Sequence, residues 1–257
     1  MTQSLFDLTG RVAVVVGGTS GIGRAIALGL ADAGADVVAT GRRAELVEKA
    51  AAEVRSRGRR SLSCAVDVAD ARSIAALRDA VIAGLGRVDI VVAAAGITRR
   101  VPTLQMDEAD WDRILETNLT GVMRTCRVFG STLVEQRSGR IITIASLASF
   151  IGLHEVAAYT ASKAGVAGLT RALAVEWARY GVTVNAIAPG VFETDLNREL
   201  LQSGRGEEFR MRTPMARFGR VEELVGAAVF LASAASSFVT GQVLAVDGGF
   251  LASGVNQ

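Results

Sequence analysis

The most informative part of the sequence is Val12-Ala13-Val14-Val15-Val16-Gly17-Gly18-Thr19-Ser20-Gly21-Ile22-Gly23, an apolar run that enters a glycine-rich turn. The continuous β-branched residues predict a buried parallel strand. Residues 24–31 are Ala-rich and have helical periodicity. Strand, turn and helix together predict the start of a dinucleotide-binding βαβ unit, because such glycines let the backbone approach a pyrophosphate and the helix N-terminus offers free N–H groups. An ordinary glycine-rich turn is the alternative.

A second pattern is the run Tyr159-Thr160-Ala161-Ser162-Lys163, in which Tyr159 and Lys163 lie one helical turn apart on the same face. A free tyrosine ionises near pH ~10, and a neighbouring ammonium is expected to lower the pKa of Tyr159 toward the working pH. By itself the pair also fits a structural role. Ser146 changes that reading, because it follows a predicted strand at 140–145, at the carboxyl end where open α/β sheets place their sites.

Together, the spacing Gly17-x-x-x-Gly21-x-Gly23, Ser146, Tyr159 and Lys163 resembles the short-chain dehydrogenase/reductase family, and the resemblance covers nearly the whole chain. It implies a single-domain α/β Rossmann fold over residues 1–257, a doubly wound parallel sheet of about seven strands with helices on both faces. It also implies a catalytic set. Ser146 and Tyr159 would bind a substrate carbonyl, Lys163 would assist Tyr159, and Asn118 would hold a water of a proton relay. Asn118 lies in a predicted long helix, where asparagine is unfavourable, and a buried structural role is its alternative.

Two segments depart from the family pattern. Val16 stands where the family usually has Thr, and Ala93-Ala94-Ala95-Gly96 stands where it has Asn-Asn-Ala-Gly. Both changes remove polar groups that the resemblance places near each other. We therefore expect an apolar contact there in place of a hydrogen-bonded one, with the chemistry unaffected.

The cofactor expected is NADP(H) rather than NAD(H). Gly41 follows the predicted strand Asp36–Thr40, at the position where an NAD enzyme would carry an acid, and Arg42 comes next. An arginine there can pair with a 2′-phosphate, although it can also be the solvated start of the next helix. Asp36 lies at the wrong end of its strand to hold a ribose.

The resemblance implies further cofactor contacts. Asp67 ends a predicted third strand and would hold the adenine, with a helix cap as its alternative; Asp70 is the better cap candidate. Thr194, in the loop after the sixth predicted strand, would lie near the carboxamide or pyrophosphate. The complete expected set is Gly17, Thr19, Ser20, Gly21, Ile22, Gly23, Gly41, Arg42, Asp67, Val68, Ala95, Gly96, Tyr159, Lys163, Pro189, Gly190 and Thr194.

The substrate is expected to be a small molecule, and three cations are candidates to bind it. Arg99 and Arg100 follow the fourth predicted strand, and His154 lies between Ser146 and Tyr159. They would attract an anionic keto or hydroxy acid, or else they are surface and pocket-lining residues. Residues 195–213 are polar and predict a mobile substrate lid, with a rigid surface helix as the alternative.

The resemblance implies an oxidoreductase that interconverts a ketone and a secondary alcohol by hydride transfer. The segments 96–100 and 247–251 are similar to gluconate 5-dehydrogenase-like sugar-acid dehydrogenases, and nearly as similar to 3-oxoacyl-carrier-protein reductases. A non-catalytic dinucleotide-binding protein on the same fold is the alternative from another class. The intact set Asn118, Ser146, Tyr159 and Lys163 favours the enzyme.

Composition bounds the remaining possibilities. The chain has 257 residues, 50% of them apolar, and a formal net charge of +2, which suits one large core. A basic cluster at Arg55, Arg57, Arg59 and Arg60 fits a solvated helix end better than a nucleic-acid patch. No membrane partner is expected, and no metal, since His154 has no ligand cluster around it. Without a signal peptide, and with Cys64 and Cys126 expected as free buried thiols, the sequence favours the cytoplasm.

Self-association is also expected. Two long predicted helices, at about 108–136 and 156–180, carry more apolar residues than one sheet face can cover. The family resemblance implies that these helices form a dimer contact and that two dimers pair into a homotetramer, in keeping with closed symmetry.

Overall fold

The computed structural model describes residues 5–194 and 197–254. Its centre is a parallel sheet of six strands in the order β2-β1-β3-β4-β5-β6. The strands are β1 (Val12–Val16), β2 (Asp36–Thr40), β3 (Ile90–Ala93), β4 (Gly139–Ile144), β5 (Val182–Pro189) and β6 (Val243–Val246). The chain adds β2 on one side of β1 and β3 to β6 on the other side, which is the doubly wound Rossmann arrangement. The predicted fold class is therefore confirmed.

Helices cover both faces of the sheet. They are α1 (Gly21–Asp32), α2 (Ala44–Arg55), α3 (Ala71–Leu85), α4 (Glu108–Leu115), α5 (Gly121–Glu135), α6 (Ala157–Trp177), α7 (Arg198–Leu201), α8 (Gly204–Arg212) and α9 (Val225–Ala232). Successive strand residues point to opposite faces. Thus Val15 packs in one apolar cluster with α1, α2 and α9, whereas Val14 and Val16 pack in another with α3, α5 and α6.

The expected strand count of about seven is wrong, because the described part of the chain forms six. The predicted third strand, which ends at Asp67 and Val68, runs beside β2 without forming a regular ladder. Two backbone hydrogen bonds join them, from Val37 N to the Arg60 oxygen at 3.1 Å and from Val66 N to the Gly41 oxygen at 2.9 Å. Between these, the Thr40 hydroxyl donates to the Cys64 carbonyl. A side chain therefore takes a position that a backbone N–H would hold in a strand.

The long helix predicted at 108–136 is divided. Between α4 and α5 lies one π-helical turn, Glu116–Thr120, with the fully buried Asn118 in it. Single π turns inside α-helices occur frequently at functional sites. The second long helix, predicted at 156–180, is α6 followed by a 3₁₀ turn at Ala178–Tyr180.

The predicted lid forms two short helices, α7 and α8; residues 195–196 of that segment lie outside the described residues. Both cysteines are free, as expected, but only Cys126 is fully buried, whereas Cys64 is half-buried beside β2. Among residues 5–194 and 197–254, no helix combines the length and apolarity needed to cross a membrane.

Candidate active site

The glycine turn brings β1, α1 and the loop after β3 into close contact. Gly17 has φ +86°, and a Cβ built on it would lie 2.5 Å from the Ala95 nitrogen. A Cβ on Gly23 would lie 2.1 Å from the Gly17 oxygen. Both positions therefore require glycine, and this packing sets the path of the turn past Ala95.

Val16 and Ala94 stand where the family pattern has polar residues, and an apolar contact was expected there. The loop after β3 nevertheless stays attached to β1. The Ala94 nitrogen donates to the Val16 oxygen at 2.8 Å, and the methyl group of Ala94 is the side chain nearest to Gly23. A backbone hydrogen bond and a methyl contact thus hold the junction that polar side chains would otherwise join.

The N-terminus of α1 has the features of an anion site. Its N-cap residue, Ser20, makes no side-chain cap, and no acidic residue lies in the first turn. A Cβ on Gly21 would meet only the Thr194 side chain, at 3.6 Å, so Thr194 borders this turn, and its contact with the cofactor stays a prediction. Uncapped N–H groups and the positive end of the helix dipole suit a phosphate, and the residues present therefore fit a dinucleotide.

Gly41 and Arg42 lie at the carboxyl end of β2, beside the glycine turn. A Cβ on Gly41 would approach the Thr19 hydroxyl to 3.0 Å. Arg42 is exposed and makes no hydrogen bond or ion pair with the described residues. At the other end of the strand, Asp36 pairs with Arg60 at 2.8 Å, which gives it a structural role.

The region expected to hold the adenine is partly occupied by local hydrogen bonds. The Asp67 carboxylate accepts from the Ala69 nitrogen at 3.0 Å, and the side chain of Asp67 is otherwise exposed to solvent. Asp70 caps α3 by accepting from the Arg72 nitrogen, as predicted. One Asp67 oxygen therefore remains for a ligand, and the adenine contact stays a prediction.

Ser146, Tyr159 and Lys163 come together at the carboxyl end of β4. The Ser146 oxygen accepts from the Ala148 nitrogen at 3.2 Å. This leaves its proton for the Tyr159 oxygen, and that hydrogen bond lowers the pKa of Tyr159. Lys163 is 5% exposed, and its Nζ donates to the Ile144 oxygen at 2.7 Å. The same Nζ lies 5.7 Å from the centroid of the Tyr159 ring.

The acid–base properties of the pair differ from the sequence expectation. Burial lowers the pKa of Lys163 to about 8. Burial also raises the pKa of Tyr159, and the hydrogen bond from Ser146 opposes this shift only in part. The expectation that Lys163 would depress the pKa of Tyr159 is therefore wrong in this structure, because desolvation dominates over the ammonium at that distance. It is the lysine whose pKa moves toward neutrality.

Asn118 positions two segments of the site from its π turn. Its Oδ1 accepts from the Ile97 nitrogen at 2.8 Å, and its Nδ2 donates to the Ile97 oxygen at 2.8 Å and to the Ser162 hydroxyl at 3.1 Å. A Cβ on Gly96 would lie 3.5 Å from Oδ1 and 3.7 Å from the Lys163 Nζ. Asn118 and Lys163 therefore both border Gly96, and one Oδ1 lone pair of Asn118 is left for a water.

Ser162 is a residue of this network that sequence reasoning missed. It is fully buried, and its hydroxyl donates to the Tyr159 carbonyl at 2.7 Å while it accepts from Asn118. The only sequence signal is its position directly before Lys163. Ser162 thus connects the π turn to the helix that carries the catalytic candidates.

The loop after β5 lies against the turn that follows β6. The Gly190 nitrogen donates to the Val246 oxygen at 2.9 Å, and a Cβ on Gly190 would lie 2.6 Å from the Cα of Asp247. Beyond Pro189 and Gly190, the Asn197 side chain accepts from the Thr194 nitrogen at 2.8 Å. These contacts direct the loop toward the N-terminus of α1, where Thr194 meets Gly21.

The three candidate substrate cations do not form one cluster. Arg99 pairs with Asp110, whereas Arg100 pairs with Glu155 at 2.6 Å. The exposed His154 ring lies 3.5 Å from the same Glu155 carboxylate. His154 and Arg100 are therefore brought together, Arg99 is separate, and both arginines already have a carboxylate partner. The described residues hold no group of three or more potential metal ligands.

This fold, with a serine, a tyrosine and a buried lysine at the carboxyl edge of the sheet, defines a nicotinamide-dependent oxidoreductase of the Rossmann class. A family model described as Enoyl-(Acyl carrier protein) reductase matches residues 16–251. The chain belongs to the short-chain dehydrogenase/reductase family.

Named relatives specify the reaction class. The chain is 42% identical to 2-dehydro-3-deoxy-D-gluconate 5-dehydrogenase of Escherichia coli K12, over 98% of this chain and 100% of that protein. It is 41% identical to D-threitol dehydrogenase of Mycolicibacterium smegmatis, over 95% of this chain and 94% of that protein. The crystal structure of gluconate 5-dehydrogenase from Burkholderia cenocepacia, in complex with NADP and tartrate, superposes with a TM-score of 0.94 at 40% identity, covering 97% of this chain and 98% of that one. The chain is therefore an oxidoreductase that acts on CH–OH groups.

Proposed function

We propose that the protein interconverts a secondary alcohol and a ketone on a sugar acid or a related hydroxy acid, with NADP(H) as cofactor and Asn118, Ser146, Tyr159 and Lys163 as the catalytic set. The observation that carries this proposal is the buried Lys163 at the carboxyl end of β4, whose Nζ donates to the Ile144 oxygen and lies 5.7 Å from the centroid of the Tyr159 ring. Burying a charged lysine costs free energy, because the ammonium loses its hydration. A non-catalytic dinucleotide-binding protein would have no need of such a lysine.

Each residue of the set has a role that follows from its contacts. The bound nicotinamide supplies or accepts the hydride. When a substrate is bound, the Ser146 hydroxyl, whose oxygen already accepts from Ala148, would turn its proton from Tyr159 to the substrate oxygen. Tyr159, whose pKa is raised, is protonated at neutral pH and gives that proton to the developing alkoxide. Lys163, with a pKa of about 8, can then return a proton to Tyr159.

Asn118 would support this proton path in two ways. Its amide fixes the loop at Ile97 and, through Ser162, the backbone of α6 at Tyr159. Its remaining Oδ1 lone pair lies close to the lysine and would hold the water through which Lys163 exchanges protons with solvent. Solvent would thereby supply or take up the proton that Tyr159 loses or gains.

The preference for NADP(H) rests on the edge of the cofactor site at β2. Gly41 offers no carboxylate to a ribose hydroxyl, and Arg42 is an exposed guanidinium without a partner among the described residues. A guanidinium binds a phosphate with two parallel hydrogen bonds. The gluconate 5-dehydrogenase of Burkholderia cenocepacia, which binds NADP in its crystal structure, supports the same choice.

The sugar-acid class is supported by the names of the relatives and by tartrate, a hydroxy dicarboxylate, in the complex of one of them. A neutral polyol is the second candidate. The D-threitol dehydrogenase relative supports it, and so does the pairing of Arg99 and Arg100 with carboxylates, which reduces their attraction for an anion.

Initial rates decide between the two classes. Purified protein is assayed with NADP or NAD as oxidant and with gluconate or D-threitol as substrate, and in reverse with 5-keto-D-gluconate. We expect the highest kcat/KM with NADP and gluconate. Turnover of D-threitol alone would replace the sugar-acid class by a polyol class, and no turnover of any CH–OH substrate would remove the proposed function.

We also propose that the protein is a homotetramer. The edge strand β6 exposes Leu244, and two further apolar side chains, Phe238 and Val175, are 104% and 83% exposed. A contiguous exposed apolar patch marks an interaction surface, and we propose that these side chains belong to such patches. Light scattering at micromolar concentration is expected to give the mass of four chains, and a monomer mass would refute the proposal. The cytoplasmic location stays a prediction.

The segment 195–213 is proposed as the substrate lid. On α8, Arg205 donates to the His154 carbonyl at 2.9 Å, and Phe209 packs against Phe250 at 6.4 Å between ring centroids. The segment thus touches the loop that precedes the catalytic helix through the Arg205 hydrogen bond, and the chain after β6 through the Phe209–Phe250 contact. Opening of the lid would break these two contacts, which join α8 to the active-site side.

A further inference from the structure

Glu155 holds together segments that border the active site. Its carboxylate accepts from the Arg100 guanidinium at 2.6 Å, and its backbone oxygen accepts from the Val101 nitrogen at 2.8 Å. The carbonyl of the preceding residue, His154, accepts from Arg205 on α8. Glu155 therefore connects the loop after β3 to the loop before α6, directly next to the point where the proposed lid attaches.

The backbone of Glu155 is unusual. Its φ is +63°, in the left-handed region, where a non-glycine residue is uncommon and is retained when its surroundings require it. Its side chain is 23% exposed, compared with 48% for Arg100. The carboxylate is thus held in a fixed place on the inner side of the pair, with the guanidinium on the outer side.

Chain connectivity places the pair beside the reacting groups. Arg100 lies four residues after Gly96, which borders Asn118 and Lys163. Four residues of extended chain span at most about 14 Å. Glu155 lies four residues before Tyr159. Arg100 and Glu155 thus lie on the two loops that lead to Gly96 and to Tyr159, and Arg100 is the cation on these loops that we assign to the charged end of an anionic substrate.

We propose that Glu155 is a specificity-determining residue: its carboxylate occupies Arg100 in the free enzyme, and the carboxylate of an anionic substrate must displace it. This inference rests on the proposed function, because it assumes an anionic substrate. A neutral polyol leaves the Arg100–Glu155 pair intact, so Glu155 reduces the advantage that Arg100 would otherwise give to anions.

Two ligands with the same carbon skeleton isolate this effect. Tartrate and D-threitol are both four-carbon chains with two inner hydroxyl groups, and they differ in ending with carboxylates or with hydroxymethyl groups. Calorimetry measures the Kd of each for the NADP-saturated protein and for Glu155→Gln, Arg100→Gln and the double variant. Glu48→Gln, which breaks a surface pair with Arg55 on α2, is the matched control.

Glu155→Gln is expected to tighten tartrate binding by about three- to fivefold, the competition that a partly exposed ion pair can offer, and to leave D-threitol unchanged. Arg100→Gln is expected to weaken tartrate binding, and in that background the Glu155→Gln change is expected to have no effect. Glu48→Gln is expected to bind both ligands as the wild type does. Should Glu155→Gln fail to fold, Glu155→Asn serves instead, because asparagine tolerates the left-handed backbone.

Weaker or unchanged tartrate binding by Glu155→Gln overturns the inference, as does an equal change for both ligands. If the wild type oxidises gluconate and tartrate binding is nevertheless unchanged in the variant, Glu155 is structural and the proposed function stands. If neither protein binds tartrate and gluconate is not oxidised, the anionic substrate class and this inference fall together.

Discussion

Replacing Lys163 with methionine is expected to abolish turnover and at the same time to stabilise the fold. Lys163 is 5% exposed and has no carboxylate partner among the ion pairs of the described residues. Burial lowers its pKa from the ordinary value of 10.5 to about 8, so at pH 7 the protein still carries it as a desolvated ammonium. Methionine has a similar length and no charge, and it fills irregular apolar space readily.

The size of the effect follows from that pKa. A depression from 10.5 to about 8 corresponds to a cost of ~3 kcal/mol for the folded, charged form. Against this, methionine removes the hydrogen bond to the Ile144 carbonyl and leaves that oxygen without its partner, at ~1–2 kcal/mol. The net gain at pH 7 is ~1–2 kcal/mol, which for a chain of this size raises Tm by about 2–6 °C.

The gain also depends on pH in a defined direction. Because the pKa of Lys163 is lower in the folded than in the unfolded chain, the unfolded state binds more protons between pH 8 and pH 10.5. Wild-type stability therefore rises with pH across that window relative to Lys163→Met. The advantage of the variant is complete below pH 8 and is used up between about pH 9 and pH 10; above that range the lost hydrogen bond to Ile144 makes the variant the less stable protein.

Thermal unfolding without added cofactor, at pH 7 and pH 9.5, measures both effects, since a bound cofactor would itself stabilise the native state. The only other lysine, Lys49, is exposed on α2, and Lys49→Met is the matched control, with an expected Tm change close to zero. A Lys163→Met protein that is less stable than the wild type at pH 7, or whose Tm difference is the same at both pH values, would refute the reasoning.

Three further outcomes are expected. Tyr159→Phe should fold with an unchanged Tm but lose at least ~10²-fold in kcat, and near wild-type turnover would end its assignment as proton donor. Arg42→Ala should raise KM for NADPH far more than for NADH, while equal changes would make Arg42 a surface residue. Ser162→Ala should lower kcat by about tenfold without changing KM for the cofactor, since it cuts the link between Asn118 and Tyr159 at ~1 kcal/mol; a loss of Tm with kcat unchanged would leave Ser162 a purely structural role.

Local patterns were sufficient for the parts of the fold that repeat a simple period. The run Val12–Val16 forms β1 with every residue buried, because a parallel strand covered on both faces has no polar side to show in its sequence. The predicted third strand, which ends at Asp67 and Val68, mixes polar and apolar residues and lies at the edge of the sheet beside β2. There the Thr40 hydroxyl, a tertiary contact, replaces part of the ladder, and periodicity carries no information about that exchange.

In the candidate site, too, local spacing predicted some features, whereas features that depend on tertiary contacts were not predicted. Tyr159 and Lys163 were found because one helical turn fixes their separation. The π turn at Asn118 was not predicted, since a single wider turn changes the period of a helix over only five residues. The sign of the pKa shift at Tyr159 was also wrong, because desolvation depends on how the whole site closes and not on spacing. Likewise, the pairing of Arg100 with Glu155 joins residues 55 positions apart, which no local pattern reports.

The helix N-termini show where the fold gives up stability for binding. Three helices are capped by a side chain that accepts from the first turn, namely α3 by Asp70, α4 by Asp107 and α8 by Ser203. In contrast, α1, α2, α5, α6 and α9 begin without a side-chain cap, and among them α1 and α2 begin directly after the short turns that follow β1 and β2, where the proposed cofactor lies. Ser20 is a residue type that caps well, yet its hydroxyl does not cap α1. A missing cap costs ~1 kcal/mol, but it leaves backbone N–H groups open to a phosphate or carboxylate. At α1 and α2 the free-energy cost of the missing cap therefore lies at the edge of the sheet that faces the cofactor. A ligand that accepts hydrogen bonds from those N–H groups offsets this cost.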